Sequence, residues 1–154
     1  MSQHSMSEDA IVTASRLTWA GVVPFIATAI VGAIGFYQAQ FLSVFLIYSA
    51  VILSFMGGIH FGLVMAGKLE RPQGSLINSM LPPLAAWAAY AFWPPLWTLG
   101  LLSLMYLFWL NYDLSRVSDK WYQNLRRPVT FVVVGSHFLW FITVASEMRV
   151  GTVS

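Results

Sequence analysis

The feature that most constrains the fold is a succession of five apolar segments within 154 residues. Each segment is close to the ~20 residues that a helix needs to cross about 30 Å of hydrocarbon. We expect helices, because no alternating strand pattern is present and a helix satisfies its backbone hydrogen bonds within lipid. The predicted fold is an all-α bundle of five transmembrane helices at about 17–37, 41–67, 75–93, 95–111 and 129–148. A polar leader, 1–15, precedes this single membrane domain at 16–149, and a short tail, 150–154, follows it.

Charged residues are too few to cover the surface of a soluble protein of this length. Only 9% of the residues are charged, against about 25% in an average soluble domain. The expected solvent and partner is therefore the lipid bilayer, and the scattered basic residues do not indicate nucleic-acid binding. The chain has no cysteine, which excludes disulfides, thiolate metal ligands and a cysteine nucleophile.

The lysines and arginines are distributed unequally between the two sides of a five-pass chain. One side receives the leader and the second–third and fourth–fifth loops, whereas the other side receives only Arg149. The positive-inside rule therefore predicts a cytoplasmic N-terminus and an external C-terminus. The basic residues on the predicted cytoplasmic side are Arg16, Lys68, Arg71, Arg116, Lys120, Arg126 and Arg127.

The long connection between the fourth and fifth segments, Tyr112–Pro128, has the pattern of an interfacial helix. Ser118 is placed to cap a short helix. We predict this helix at about 117–126, with Trp121, Tyr122 and Leu125 at headgroup depth.

Small residues recur every fourth position in the second segment. This spacing lets another helix backbone approach closely, so it predicts a helix-packing groove. The partner is left open between a helix of this chain, a second copy and another protein. The groove residues are Ala50, Ser54, Gly58, Gly62 and Ala66.

Polar side chains inside membrane segments are expensive to bury and are therefore functional candidates. His60 is predicted to lie away from the groove, facing another helix or a site. His137 is expected at a similar depth, so the two imidazoles either bracket a haem iron, share a metal, or lie apart. Asp113 is expected to pair with an arginine or with His60. The candidate polar cluster comprises His60, Asn78, Asp113 and His137.

Two adjacent prolines, Pro82 and Pro83, fall within the third segment. They remove two N–H donors, so we predict a kink that frees the carbonyls of Asn78 and Ser79. The freed carbonyls either line a cavity or bond to neighbouring side chains or water.

Motifs of catalysis are missing from the sequence. No carboxylate lies in the middle of a predicted span, and neither a zinc-protease helix nor a phosphate loop is present. Ser136 and His137 are neighbours and point about 100° apart on a helix, so they are not a catalytic dyad. We predict no catalytic residue and no cofactor, and an enzyme is not indicated.

Several stretches resemble one family of small membrane proteins of unknown function from bacteria, whose eukaryotic relative is transmembrane protein sixty-nine. They are YSAVILSFMGGIHFGL (48–63), LPPLAAW (81–87), Asp113 and WYQNLRRPVT (121–130), with Pro24 as a further match. The resemblance implies a five-pass bundle in an energy-transducing membrane, here the bacterial inner membrane, and carries no activity. The family pattern often has Trp at position 61 and a basic residue or His at position 60, while His137 matches no family motif.

The functional expectation is a non-enzymatic scaffold, assembly factor or accessory protein that acts through helix contacts, with a membrane-protein partner or a second copy. One alternative is a small channel or transporter with an inward-facing polar cavity. A further alternative is a binder of haem, metal or a lipid ligand that uses the intramembrane histidines.

Overall fold

The computed structural model describes residues 7–67, 72–117 and 119–151 of the chain. Within these ranges the chain forms five α-helices and no strand. This confirms the prediction of an all-helical protein with five helices. The helices are α1 (Glu8–Ala33), α2 (Gln38–Met65), α3 (Pro72–Phe92), α4 (Pro95–Arg116) and α5 (Lys120–Gly151).

Three of the described helices are both long and apolar enough to cross a membrane. These are α1, α2 and the part of α5 that ends at Met148. The helices α3 and α4 are less apolar, although their 21 and 22 residues would extend about 32 Å at ~1.5 Å per residue. The described part of the chain thus contains three helices that could span a membrane.

Local sequence signals explain where the helices begin and turn. The Ser7 hydroxyl accepts the Ala10 N–H at 3.3 Å and so caps the start of α1, whose first turn contains Glu8 and Asp9. Between α1 and α2 the chain turns through left-handed conformations at Gly35 (φ +81°) and Tyr37 (φ 43°). Such turns allow consecutive helices to pack antiparallel.

The first and the last helix of the chain begin earlier than the apolar pattern predicts. Helix α1 begins at Glu8 rather than near position 17, and α5 begins at Lys120 rather than near 129. The prediction of a separate interfacial helix at 117–126 is therefore wrong, because 120–126 form the first turns of α5. The cap predicted at Ser118 lies outside the described residues.

The physical reason for the early start of α5 is that its first turns are anchored in the protein. The side chains of Trp121, Tyr122 and Leu125 are half-buried rather than spread on a headgroup layer. Gln123 donates to the Val117 carbonyl at 2.8 Å, which ties the helix start to the preceding connection.

The five helices form a closed ring. Each helix packs on the next one in the sequence, α5 returns to pack on α1, and α2 also touches α4. The interior of the ring is filled by large side chains with almost no exposure, such as Phe25, Phe45, Leu53, Trp109 and Trp140. Large apolar side chains also cover the outside, as Leu17, Leu84, Trp97 and Phe138 show with 59–70% exposure. An outer surface of this kind suits lipid.

The backbones of α2 and α3 approach each other closely at Gly57. A Cβ at Gly57 would lie less than 3.0 Å from the Ser79 carbonyl oxygen, and Pro83 stands beside it. That carbonyl is the one whose N–H partner is missing at Pro83, so the predicted free carbonyl packs against a glycine. Helix α3 runs through Pro82 and Pro83, and the angle of the predicted kink stays a prediction.

The predicted groove lies on the outer face of α2. Ser54, Gly58, Gly62 and Ala66 are exposed, and only Ala50 is half-buried. Nothing lies within 4 Å of a Cβ built at Gly58 or Gly62. Of the three partners considered for this groove, a described helix of the same chain is therefore excluded at these two glycines.

Candidate functional site

A cleft of about 470 Å³ opens between α1, α2 and the first turns of α5. Its size falls within the ~300–1,000 Å³ of small-molecule sites. Apolar side chains form most of its walls, among them Leu17 and Val22 from α1, Phe55 and Ile59 from α2, and Leu125 from α5. The base of the cleft is polar, because the side chains of His60, Asp113, Tyr122 and Arg126 line it there.

The polar base is organised around the carboxylate of Asp113, which is 1% exposed. Its Oδ1 accepts from the His60 Nε2–H. Its Oδ2 accepts from Arg126 Nε at 2.8 Å and from the Tyr122 hydroxyl at 3.1 Å. These four side chains form the group that we call the Asp113 cluster, and they join α2, α4 and α5. A buried carboxylate is tolerated here because three donors compensate it.

Aromatic rings from α4 hold the His60 imidazole in place. Trp109 and Tyr112 lie 4.8 and 5.2 Å from it between ring centres. The second ring nitrogen of His60, Nδ1, is buried and bonds to none of the residues that the structure describes. His60 therefore has one nitrogen fixed by Asp113 and one with unused hydrogen-bonding capacity.

His137 belongs to a second, separate polar group deeper in the bundle. Its Nδ1–H donates to the Val133 carbonyl, and its Nε2 accepts from the Ser49 hydroxyl, both at 2.8 Å. The Tyr106 hydroxyl donates to the Ser49 carbonyl at 2.9 Å. Phe45 packs on the imidazole with 4.6 Å between ring centres. Both nitrogens of His137 are used, so this histidine serves the packing of the bundle.

The two histidines do not lie at the same depth, and the prediction that they do is wrong. His60 lies eleven positions after Ser49 on α2, and His137 lies eleven positions after Arg126 on α5. At ~1.5 Å per residue, the two polar groups are stacked about 16 Å apart along the bundle. Of the alternatives considered for the two histidines, pairing around haem or a metal is therefore not assembled, and His60 and His137 lie apart.

The predicted four-residue polar cluster is thus assembled only in part. His60 and Asp113 meet, whereas His137 lies in the deeper group. Asn78 is half-buried on α3, and among the described residues no hydrogen bond joins it to His60 or Asp113. Within the same part of the chain, no group of three or more histidine, aspartate and glutamate side chains is suited to hold a metal.

The sequence predicts the place of Arg126 in the Asp113 cluster better than that of Tyr122. Arg126 is a candidate partner for Asp113 from the sequence, whereas Tyr122 is expected among the headgroups. A signal for both is present: Tyr122, Arg126, Val129 and Val133 follow one another at helical spacing, and all but Tyr122 are buried. Extending the fifth helix back to position 120 reveals this single inward face.

The sequence comparisons bear on the same region. The family model described as "Protein of unknown function (DUF3429)" matches residues 11–142, a range that includes the whole cleft and both polar groups. The chain belongs to this family. The resemblance found in the sequence is thereby confirmed, and the DUF3429 family brings no activity to assign.

A named relative supports the membrane assignment of this DUF3429 protein. Transmembrane protein 69 of Xenopus tropicalis is 33% identical over 135 residues, which make up 84% of this chain and 53% of that protein. The chain therefore spans about half the length of this curated relative. No solved structure matches the chain.

Proposed function

We propose that this protein binds an amphiphilic molecule from the bilayer in the cleft between α1, α2 and α5. The observation that supports the proposal is the pairing of apolar walls with one compact polar base. Leu17, Phe55 and Ile59 are 68%, 66% and 40% exposed, and they would cover an apolar tail. The Asp113 cluster supplies polar groups for a head, and apolar pockets with few convergent polar groups are the usual form of ligand sites.

The proposal is tested by measuring which lipids remain with the protein in mild detergent. We expect mass spectrometry of the purified wild-type protein to show a bound amphiphile. Thr18 lines the cleft, so Thr18→Trp should fill it and remove that species. Thr13 is exposed on the same helix and outside the cleft, so Thr13→Trp should retain it. Equal retention by both variants would contradict the proposal.

The proposed placement in the membrane has five passes, with the N-terminus in the cytoplasm and the C-terminus outside a bacterial inner membrane. The antiparallel ring and the basic residues at the end that holds the cleft support this placement. Arg16, Lys120 and Arg127 are all exposed at that end. The cleft would then open at the depth of the cytoplasmic headgroups.

A second candidate function, the scaffold, is favoured by the outer face of α2. Gly58 and Gly62 face outward, and a Cβ at either position would have nothing within 4 Å, so a helix of another chain could approach them. We expect Gly58→Leu to weaken self-association or partner binding, measured by crosslinking in membranes. Gly135→Leu on α5 is the matched control, since its surroundings are equally open. Unchanged association in Gly58→Leu would remove the support for this function.

A conduit across the membrane is less well supported by the packing. The layer between the two polar groups contains Leu53, Trp109 and Val133, which are 0–3% exposed. A solute at the Asp113 cluster would have to displace these side chains before reaching the layer of His137. The cleft is therefore better suited to holding a molecule than to passing one.

A further inference from the structure

We propose that the molecule bound in the cleft carries an anionic head, a phosphate or carboxylate, which the guanidinium of Arg126 binds. This inference rests on the proposed ligand-binding function and assigns the chemistry of its ligand. Arg126 is 9% exposed and lines the base of the cleft.

The hydrogen bonds of Arg126 leave much of its donor capacity unused. An arginine side chain offers five N–H donors. Its Nε donates to Asp113, and its Nη2 donates to the Met56 thioether at 3.5 Å. A thioether is a weak acceptor, and Nη1 donates to none of the described residues. A guanidinium in apolar surroundings is therefore short of strong acceptors.

The neighbouring Asp113 carboxylate cannot supply acceptors for the remaining N–H donors of Arg126. Both oxygens of Asp113 are already occupied by three donors, and the side chain contacts Arg126 through Nε alone. This leaves the Nη nitrogens for another acceptor. Oxyanions bind arginine through two parallel N–H bonds and are the partners that its planar fork prefers.

The charge at the end of the bundle that holds the cleft favours the same class of ligand. Arg16 precedes the wall residue Leu17 on α1 and is exposed, and Lys120 is exposed at the start of α5. The described acidic residues at this end are Asp113, which is already paired, and Glu8, Asp9 and Asp119, which are exposed. Among the residues that the structure describes, Asp113 is the one carboxylate that lines the cleft, and the Arg126 guanidinium lies beside it together with His60. The net charge of the polar base is therefore not negative.

The apolar walls indicate that the anion is part of an amphiphile and not a free ion. A free phosphate would give up hydration against Leu17, Phe55 and Ile59 without a compensating hydrogen bond. An acyl chain would cover these walls and gain from leaving water or from replacing looser lipid contacts. We therefore assign the cleft to a membrane amphiphile with a phosphate or carboxylate head.

The test compares two amphiphiles that differ in the head alone. Lysophosphatidic acid and monoacylglycerol with the same oleoyl chain are titrated into the delipidated full-length protein in a neutral detergent, and binding is followed by calorimetry. We expect the wild-type protein to bind the phosphate form at least about tenfold more tightly, because charge-assisted bonds to arginine are about twice as strong as neutral ones. Inorganic phosphate at millimolar concentration should not displace it.

Variants at two adjacent arginines test whether Arg126 is the residue that gives the preference for the phosphate head. Arg126→Gln should abolish the preference for the phosphate head, and Arg126→Lys should retain part of it. Arg127→Gln is the matched control, since Arg127 is exposed and does not line the cleft; it should keep the preference.

The outcomes separate this inference from the function on which it rests. If both amphiphiles bind the wild-type protein equally, the cleft is a ligand site but the anionic head is contradicted. If neither binds, the proposed function itself is contradicted. Displacement by inorganic phosphate alone would assign the site to a free anion and overturn the amphiphile. These wild-type results decide the inference even if a variant at Arg126 fails to fold.

Discussion

At the scale of single residues, the chain uses neighbouring identical residues for different purposes. Gly57 lies against the backbone of α3, whereas Gly58 faces outward. Arg126 is buried on Asp113, whereas Arg127 is exposed. Such pairs provide matched controls, because the same substitution at adjacent positions differs only in its surroundings.

The first residue-scale prediction concerns Gly57. We expect Gly57→Ala to lower the free energy of unfolding by about 1–3 kcal/mol, since its Cβ would overlap the Ser79 carbonyl and force α2 and α3 apart. Gly58→Ala should change stability by less than about 0.5 kcal/mol, as for a surface site. The measurement is reversible unfolding in mixed detergent micelles. Equal effects of the two substitutions would show that the close approach at Gly57 is absent.

The second residue-scale prediction concerns Asp113. Asp113→Asn removes the charge that compensates Arg126 in a buried site, so we expect a loss of about 3–5 kcal/mol in unfolding free energy. Glu147→Gln, at an exposed position of α5, is the control and should leave stability unchanged. Unfolding followed by far-ultraviolet circular dichroism measures both. A stability loss below about 1 kcal/mol would mean that the Asp113 cluster does not hold the helices together.

At the scale of helices, the seam between α1 and α5 depends on a glycine that accepts a large ring. A Cβ at Gly32 would lie less than 3.0 Å from the indole of Trp140, which is fully buried. We expect Gly32→Ala to lower the thermal midpoint by several degrees, since a rigid ring in a filled core cannot move aside easily. Gly21→Ala on the same helix meets only the Tyr48 hydroxyl at 3.8 Å and should be tolerated. A midpoint unchanged in Gly32→Ala would contradict this seam.

The helices themselves can be predicted from the sequence, while their contacts cannot. Apolar length shows where helices lie, which is why all five are predicted. Apolar length does not show where polar residues extend a helix, so the first turns of α1 and α5 are not predicted. The ladder spacing identifies Gly58 and Gly62, but the crossing of α2 with α3 uses Gly57, a choice that only the packing of both helices determines. Similarly, counting residues from the predicted ends places His60 and His137 at one depth, and the error comes from placing the start of α5 near position 129.

At the scale of the whole molecule, the proposed topology makes the ends of the bundle accessible from opposite sides. The chain has no native cysteine, so single cysteines can be introduced without background labelling. We expect Thr13→Cys, an exposed site near the start of α1, to react only when a membrane-impermeant thiol reagent reaches the cytoplasmic side. Glu147→Cys, near the end of α5, should react from the outside. Labelling of both from the same side would contradict five passes.

The cleft between α1, α2 and α5 is the feature on which the proposed binding of a membrane amphiphile depends. The decisive experiment is photo-crosslinking in native membranes with an acyl-chain diazirine probe that carries a phosphate head, followed by mass-spectrometric mapping of the adducts. We expect adducts concentrated on wall residues such as Leu17, Phe55 and Leu125, and competed away by the same amphiphile without the diazirine. Adducts spread equally over outward positions such as Phe138 and Ile142, without competition, would contradict the proposal.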